Sequence, residues 1–517
     1  MISMLVVGLA AGCAVDDLGT TDEELASDAI ALTTEGLVRG VATPGTREFR
    51  GVPYAAPPVG ERRWRPPAPP ARHLGIRDAT AFAPHCAQLA SPFGQASGAE
   101  DCLYLNVYAP RGAVLRPVMV WIHGGALVTG ESDDYDATRL VTQGDVVVVT
   151  INYRLGALGF TAHPALTAES PAHASGNYGL LDQQAALRWV QRNILLFGGD
   201  PTRVTIFGES AGGLSVHAQL ASPGSRGLFQ RAIVESGAYQ LAQPSLAQGE
   251  AGGAAFAAAA GCADQSAACL RSLDVATILA HQPAGIAGAS PVIDGAFLPR
   301  SIAEAFATGQ FNRVPVIEGA NHDEWRLFVG LTTLTTGPTP AAAYPAAIAA
   351  TLGVPAQVVP AFVAQYPLAG FASADLALSA LGTDGIFACN ARVAARALAG
   401  FVPTFAYEFA DPDAPQRFLP PVAFPYAAAH ASEIQYLFDL PVTVPAPALD
   451  AAQRRLAAHM IRYWSSFART GQPSSVEAPP WPRYDARDTF QALVPTRPQP
   501  TTTFAADHRC AFWDGLR

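Results

Sequence analysis

Five short runs rich in β-branched and apolar residues constrain this chain more than any other feature. They are "RPVMVWIHGG" (116–125), "DVVVVTINYR" (145–154), "RVTIFGES" (203–210), "RAIVESG" (231–237) and "VPVIEGAN" (314–321). Each is stopped by Gly, Asn or charged residues. Near-continuous apolar runs suit strands buried on both faces, as in a parallel sheet. Helical patterns lie between them, such as "LLDQQAALRWVQRNI" (180–194) with its apolar residues at helical spacing. "PTFAYEFAD" (403–411) reads as a further strand, and "AAQRRLAAHMIRYWSSFART" (451–470) as an amphipathic helix. Such alternation predicts an α/β fold with a doubly wound, mostly parallel sheet.

The chain has 517 residues, 50% hydrophobic and 15% charged, and shows no internal repeat or long flexible linker. One large domain with a substantial core is therefore expected. Region 240–390 is richer in Ala and Pro and poorer in strands, which predicts a helical cap over the sheet. The Pro-rich "RPPAPPAR" (65–72) is expected to be a surface loop. The net charge of −10, with no basic run longer than "GERRWR" (60–65), argues against a nucleic-acid partner, since phosphate binding needs clustered cations. All the basic residues besides histidine are arginines; the chain has no lysine.

The amino terminus, "MISMLVVGLAAGC", is a short apolar stretch ending in small residues and Cys13, followed by the acidic, polar "AVDDLGTTDEELASDA". It resembles a bacterial lipoprotein signal: a leader over 1–12, a cysteine that takes lipid, and a polar linker over 13–30 ahead of a catalytic domain over 31–517. The expected location is outside the cytoplasm, as a cell-envelope lipoprotein or a secreted protein. Cysteine usage agrees. Setting Cys13 aside leaves six, Cys86, Cys102, Cys262, Cys269, Cys389 and Cys510, an even number that an oxidising compartment favours. Cys86 and Cys102 would close a loop of about fifteen residues, worth ~3 kcal/mol by chain entropy. Cys262 and Cys269 would close a shorter one. No CxxC pair or clustered Cys/His spacing suggests zinc.

The stretch "FGESAGG" (207–213) sets Ser210 between Gly208 and Gly212, after the strand "RVTIF" and before the helical "GLSVHAQLA". Strand, sharp turn and helix in that order make a nucleophile elbow, which lifts a serine hydroxyl clear of the sheet. The helix start favours developing negative charge. Acyl transfer also needs an oxyanion hole. "WIHGGALVTG" (121–130) ends a strand in His-Gly-Gly-Ala, so the expected donors are the N–H groups of Gly125, Ala126 and Ala211,. His123, ahead of the glycines, suits holding that loop better than acting as a base.

Several stretches together resemble the type-B carboxylesterase family. "EDCLYLNVYAP" (100–110) and "FGGDPTRVTIFGESAGG" (197–213) match its two signature segments. "FRGVPYAAPPVGERRW" (49–64), "INYRLGALGF" (151–160), "GNYGLLDQQAALRWVQRNI" (176–194), "HASEIQYLF" (430–438) and "CAFWD" (510–514) add support. The resemblance runs from about residue 31 to the end. It implies an α/β-hydrolase fold and a Ser–Glu–His triad, with Ser210 as nucleophile, Glu324 in "GANHDEW" as acid and His430 in "AAAHASEI" as base. No metal or cofactor is implied, and the partner is a small-molecule ester. Asp323 is the alternative acid and His322 the rival base. His217, on the nucleophile's own helix, and His459, on a helix expected to face solvent, fit worse.

The resemblance further implies that Ser236 steadies the acid and that Glu209 is hydrogen-bonded scaffold. It pairs Arg50 with Glu100 and Arg154 with Asp182. It also pairs the cysteines as Cys86–Cys102, Cys262–Cys269 and Cys389–Cys510. Two departures stand out. Trp325 follows the acid where many members have Gly, placing an indole near the pocket or in the core. The first disulfide loop holds Phe93 but no Trp, so the cation–π seat of a choline-ester specialist is missing. A lipase, amidase or thioesterase variant is an alternative within acyl transfer, and a non-catalytic adhesion or binding protein on the same fold is the other class of reading. It is disfavoured because serine, acid, histidine and glycines are all retained.

Overall fold

The structure, a computed structural model, describes residues 28–283 and 288–516. The leader, Cys13 and nearly all of the polar linker lie outside the described residues. Among the described residues, eleven strands form the main sheet. Seven run parallel, in the spatial order Phe490–Leu493, Thr404–Phe409, Val316–Asn321, Arg231–Glu235, Gly199–Glu209, Arg116–Ile122 and Val147–Ile151. Gln499–Thr501 pairs antiparallel at one edge. Tyr104–Pro110, Thr46–Pro53 and Val41–Ala42 continue antiparallel at the other. Ile30–Thr33, Gly36–Arg39 and Ile76–Asp78 form a separate small sheet.

Each strand expected from an apolar run is present, a few residues shorter than its run or, for Gly199–Glu209, longer at its start. The continuous apolarity has the anticipated cause. Val118, Val120 and Ile122 enter one core with Val149, Val204 and Leu187. Between them, Met119 and Trp121 enter a second core on the opposite face, with Ile233, Ile317 and Trp464. Both side-chain sets are fully buried, so these strands read as near-continuous apolar runs. Helices Tyr178–Asn193 and Ala211–Ala221 cover the first face, and Ala451–Thr470 covers the second. That last helix buries Leu456, Met460, Tyr463 and Phe467, and His459 lies half-buried along it, bonded to Ser475.

Region 240–390 is helical on both sides of a sheet strand. Among the described residues, four helices precede Val316–Asn321, and after it come Arg326–Thr336, Tyr344–Leu352, Val359–Gln365 and Ala374–Gly382. A π-helical turn, Thr383–Ala388, then joins Ala374–Gly382 to Cys389–Ala399. The Pro-rich segment 65–72 is irregular and mostly exposed. All three expected disulfides are formed: Cys86–Cys102, Cys262–Cys269 and Cys389–Cys510.

One expected ion pair is corrected. Arg50 does not meet Glu100; its guanidinium lies 2.5 Å from Glu48, two residues back on the same strand. Glu100 is instead held bidentately by Arg63, at 2.7 and 2.6 Å. Residues i and i+2 of a strand share a face, so Arg50 finds Glu48 beside it. Arg63 caps the disulfide loop and also donates to two backbone carbonyls, of Arg271 and Leu273. Arg154–Asp182 is as expected, a fully buried bidentate pair at 2.7 Å.

Candidate active site

The strand Gly199–Glu209 ends at the centre of the sheet, and the next residue turns sharply. Ser210 adopts φ 57°, ψ −120° and stands immediately before the helix Ala211–Ala221 without capping it. Its N–H donates to the Glu235 carbonyl at 2.9 Å, which ties the turn to the neighbouring strand. This backbone conformation is unfavourable for a residue with a Cβ and persists only because its surroundings fix it. The flanking glycines are required by close approach. A Cβ on Gly212 would stand 1.9 Å from the Ile122 carbonyl oxygen, and one on Gly208 2.5 Å from the same atom.

Ile122 ends the next strand, and the chain then turns through His123 and Gly124. Gly125 (φ 94°), Ala126 (φ 55°) and Leu127 (φ 61°) form a left-handed run. Gly124, Gly125 and Ala126 line a cavity together with Ser210 and His430. Ala211 opens the helix behind Ser210, where the first N–H groups have no intrahelical acceptor. His123 is buried, and burial lowers its pKa to about 4. Its Nδ1 donates to the Gly124 carbonyl and its ring stacks on Tyr153, whose hydroxyl bonds the His123 carbonyl. A neutral imidazole fixed in this way braces the turn.

Glu324 and His430 come from separate loops at the same end of the sheet. Glu324 is fully buried. One carboxylate oxygen accepts from Ser236 Oγ at 2.5 Å and from the Asn321 N–H at 2.7 Å; the other lies 2.6 Å from His430 Nδ1. A carboxylate facing Nδ1 keeps the proton there, leaving the lone pair on Nε2. His430 Nε2 is buried without an aligned hydrogen bond, although Glu209 Oε1 is 3.1 Å away. Glu209 receives the Ala431 N–H. Burial, then Glu324 and Glu235, push its carboxyl well above the usual range.

The two alternatives are not at this site. Asp323 points to Arg326, at 2.7 Å, and to His322, at 3.2 Å. Burial would raise its pKa, but these two cations hold it below the ordinary value. His322 is exposed and sits beside the His508 ring. His217 is wholly buried and paired with Glu318 at 2.8 Å. Glu408 and His508 stand near His322 in a grouping of metal-ligating side chains. Both nitrogens of His508 are already bonded, to Asp384 and Glu408, so no lone pair is left for an ion.

The cavity has a volume of about 560 Å³. Trp325 lines it, resolving the question raised by its place after the acid: its ring packs on Phe328 at 4.4 Å and against Gly382. Phe328 and Phe387 lie 5.1 and 4.9 Å from the His430 ring, an aromatic wall against the imidazole. Phe93 also faces the cavity, against Phe418. Tyr239, Phe387, Phe418, Glu131 and Asp134 were not among the residues the sequence singled out. The acidic pair was within sight in "TGESDDYD" (129–136), directly after the glycine loop, but such a run looks like any solvated turn.

A parallel sheet with a serine elbow, and a buried carboxylate–imidazole pair converging on the same cavity, is an α/β-hydrolase. A profile of the carboxylesterase family matches residues 27–513. The chain is 38% identical over 480 residues to the fumonisin B1 esterase of Sphingopyxis macrogoltabida, covering 88% of this chain and 84% of that one. It is 37% identical over 478 residues to the acylcarnitine hydrolase of Mus musculus, covering 87% and 83%. To the cocaine esterase of Homo sapiens it is 35% identical over 504 residues, covering 91% and 87%. The protein belongs to the carboxylesterase family and is a carboxylic ester hydrolase acting on small-molecule esters. Its three disulfides suit an exported protein. Among the described residues, no helix is long and apolar enough to cross a membrane.

Proposed function

We propose that Ser210, His430 and Glu324 carry the hydrolysis. His430 Nε2 takes the Ser210 Oγ proton as the oxygen attacks the ester carbonyl. The resulting oxyanion is held by the N–H groups of Gly125, Ala126 and Ala211. Nε2 then delivers the proton to the departing alcohol oxygen, leaving an acyl-serine. Water, deprotonated by the same nitrogen, attacks the acyl carbonyl, and Nε2 returns that proton to the departing Ser210 Oγ as the acid is released. Glu324 orients the imidazole and stabilises its charged form. Ser236 fixes the Glu324 carboxylate, and Glu209 is scaffold beside the imidazole.

The observation that carries this reading is the bond from Glu324 to His430 Nδ1, with Nε2 left unbonded in the cavity that Ser210 lines. The helices after Asn321 serve as a cap that walls the cavity. Residues 1–12 are a lipoprotein leader, Cys13 carries the lipid and 13–30 is a tether, so the catalytic domain works in the bacterial cell envelope. A para-nitrophenyl ester series from acetyl to palmitoyl tests the chemistry. Wild type is expected to show a burst and turnover, and Ser210→Ala to lose at least about 10³-fold in kcat. Turnover retained by the alanine variant would discard Ser210 as nucleophile. Metabolic labelling with a clickable fatty acid, lost in Cys13→Ser, tests the anchor.

A further inference from the structure

The small sheet of Ile30–Thr33, Gly36–Arg39 and Ile76–Asp78 has one covered face and one bare face. Ala31 and Val38 point into the core. On the other side Leu32, Leu37 and Ile76 stand opposite one another across the three strands, and Ile30, two residues before Leu32, shares their face. All four are exposed, Leu32 by 53% and Ile76 by 51%. Leu74, in the turn that enters the third strand, is fully exposed, and Gly75 beside it adopts φ 75°. This turn is "RHLGIR" (72–77). Its two arginines, Arg72 and Arg77, are exposed, and neither has an ion pair among the described residues. The neighbouring turn Ile194–Phe197 bares Leu195 and Leu196, and the Thr34 N–H ties it to the small sheet by donating to Asn193 Oδ1 at 2.8 Å. Exposed apolar side chains scattered singly are ordinary, but a contiguous cross-strand row marks an interaction surface.

The position of this face says what covers it. Asn193 closes the helix that leads into the strand Gly199–Glu209, and Asp28 is held at 2.5 Å by Arg111, directly after the strand Tyr104–Pro110. Both lie where the parallel strands begin, whereas Ser210, Glu324 and His430 lie where those strands end. Cys13 is fifteen residues ahead of Asp28, a stretch that spans at most about 50 Å. Resting on the lipid-anchor reading above, we propose that the bare face of the small sheet docks on the bilayer surface. Leu74 and the row Leu32–Leu37–Ile76 enter the headgroup region, and Arg72 and Arg77 meet anionic headgroups. A chain of net charge −10 is repelled by an anionic surface in most orientations, so a side with unpaired arginines is the one it can present. The tether makes the contact intramolecular, so a modest apolar area is enough to populate it. Docked in this way, the molecule keeps the catalytic end of its sheet away from the bilayer, and esters reach the cavity from water.

The test uses the full lipidated chain on vesicles of phosphatidylethanolamine and phosphatidylglycerol. An environment-sensitive nitrobenzoxadiazole label is placed on Leu74→Cys or, separately, on Val442→Cys, an exposed position between the cavity-lining Pro441 and Thr443. The label at 74 is expected to brighten by at least about threefold on vesicles and to be quenched by a shallow spin-labelled lipid, while the label at 442 does neither. Vesicles of phosphatidylcholine alone are expected to give at most about half that response. Leu32→Glu combined with Ile76→Glu is expected to abolish it, with turnover of a para-nitrophenyl ester unchanged as the check on folding. If the chain takes up fatty acid at Cys13 but the label at 74 stays in water, the docking face is overturned and the anchor reading stands. The face is equally overturned by an equal response at 74 and 442, by one that ignores lipid charge, or by one that survives the double glutamate variant. A response without vesicles, from a chain that sediments as a dimer, gives the face to a second copy and overturns the proposal. If no fatty acid is taken up, the anchor reading falls and takes this inference with it.

Discussion

At the scale of single residues, burial and hydrogen-bond partners separate groups that are neighbours in sequence. Asp323 and Glu324 are adjacent acids, yet one faces Arg326 and the other His430. Glu324→Gln is expected to lower kcat by at least about 10²-fold, because an amide no longer holds the imidazole in the right tautomer. Asp323→Asn is expected to change kcat by no more than about threefold. Steady-state kinetics on a para-nitrophenyl ester decides between them, and the reverse ranking would make Asp323 the acid.

Glu235 makes a separate prediction at this scale. Burial raises its pKa from 4.5 to about 7, against the pull of the Trp464 indole N–H, which donates at 2.9 Å. Between those values the folded state keeps a proton that the unfolded chain has lost, so stability falls as pH rises and levels off above about 7. The cost of ionising it in place is on the order of 3 kcal/mol. Glu235→Gln is therefore expected to be more stable than wild type at pH 8 and nearly equal to it at pH 4. Denaturant melts across that range check the sign.

At the scale of elements, close approach of backbones sets the site. The helix Ala211–Ala221 starts against the end of the strand Arg116–Ile122, and Gly212 leaves no room there for a methyl group. Gly212→Ala must push apart the two elements that bear Ser210 and the Gly125–Ala126 turn. A loss of at least about 2 kcal/mol is expected from such overpacking, with a drop in kcat larger than any change in KM, since reacting groups misplaced by an ångström lose much of their rate. Thermal melts beside kinetics test this; a variant with wild-type kcat would show that the contact does not set the geometry. The π-turn Thr383–Ala388 acts at the same scale. Thr383 Oγ1 accepts the Trp325 N–H, and four residues on, Phe387 reaches His430. π-turns often mark functional sites because the extra residue redirects side chains.

At the scale of the whole molecule, the carboxyl-terminal segment is locked to the sheet and to that π-turn. His508 bonds Asp384 on the turn at 2.8 Å and Glu408 on the strand Thr404–Phe409 at 2.7 Å, beside the Cys389–Cys510 disulfide. Burial opposes its charge, but the two carboxylates outweigh that and raise its pKa to about 10. The clamp is fully formed below the ordinary histidine range and is lost as pH rises through about 10. His508→Gln is expected to be less stable than wild type by about 2 kcal/mol or more at pH 7, with the gap closing towards pH 11. Differential unfolding at the two pH values measures it. A gap unchanged at high pH would mean that the charge contributes nothing.

The alternation of apolar runs with helical patterns, and the serine between two glycines, were legible because they are local. A parallel strand buried on both faces is apolar at most positions, and an elbow needs glycine on both sides, whatever the rest of the chain does. The cysteine pairs were readable for the further reason that resemblance carries positions over one by one, and the same resemblance put forward Ser210, Glu324 and His430 as the proposed triad. What only the tertiary structure decided was which distant groups meet. Arg50 turned to Glu48 because strand geometry put it there, and Arg63 took Glu100 instead. Of the two adjacent acids, Asp323 faces His322 and Arg326, and Glu324 faces His430. Phe387 and Phe418 reached the cavity from a π-turn and a loop far from Ser210 in sequence, and Asp134 faces it without a hydrogen bond among the described residues, whereas Glu131 is satisfied. Sequence specifies local conformation through sterics and burial, but partners tens or hundreds of residues apart are chosen by packing, and so is the charge of the wall a substrate meets.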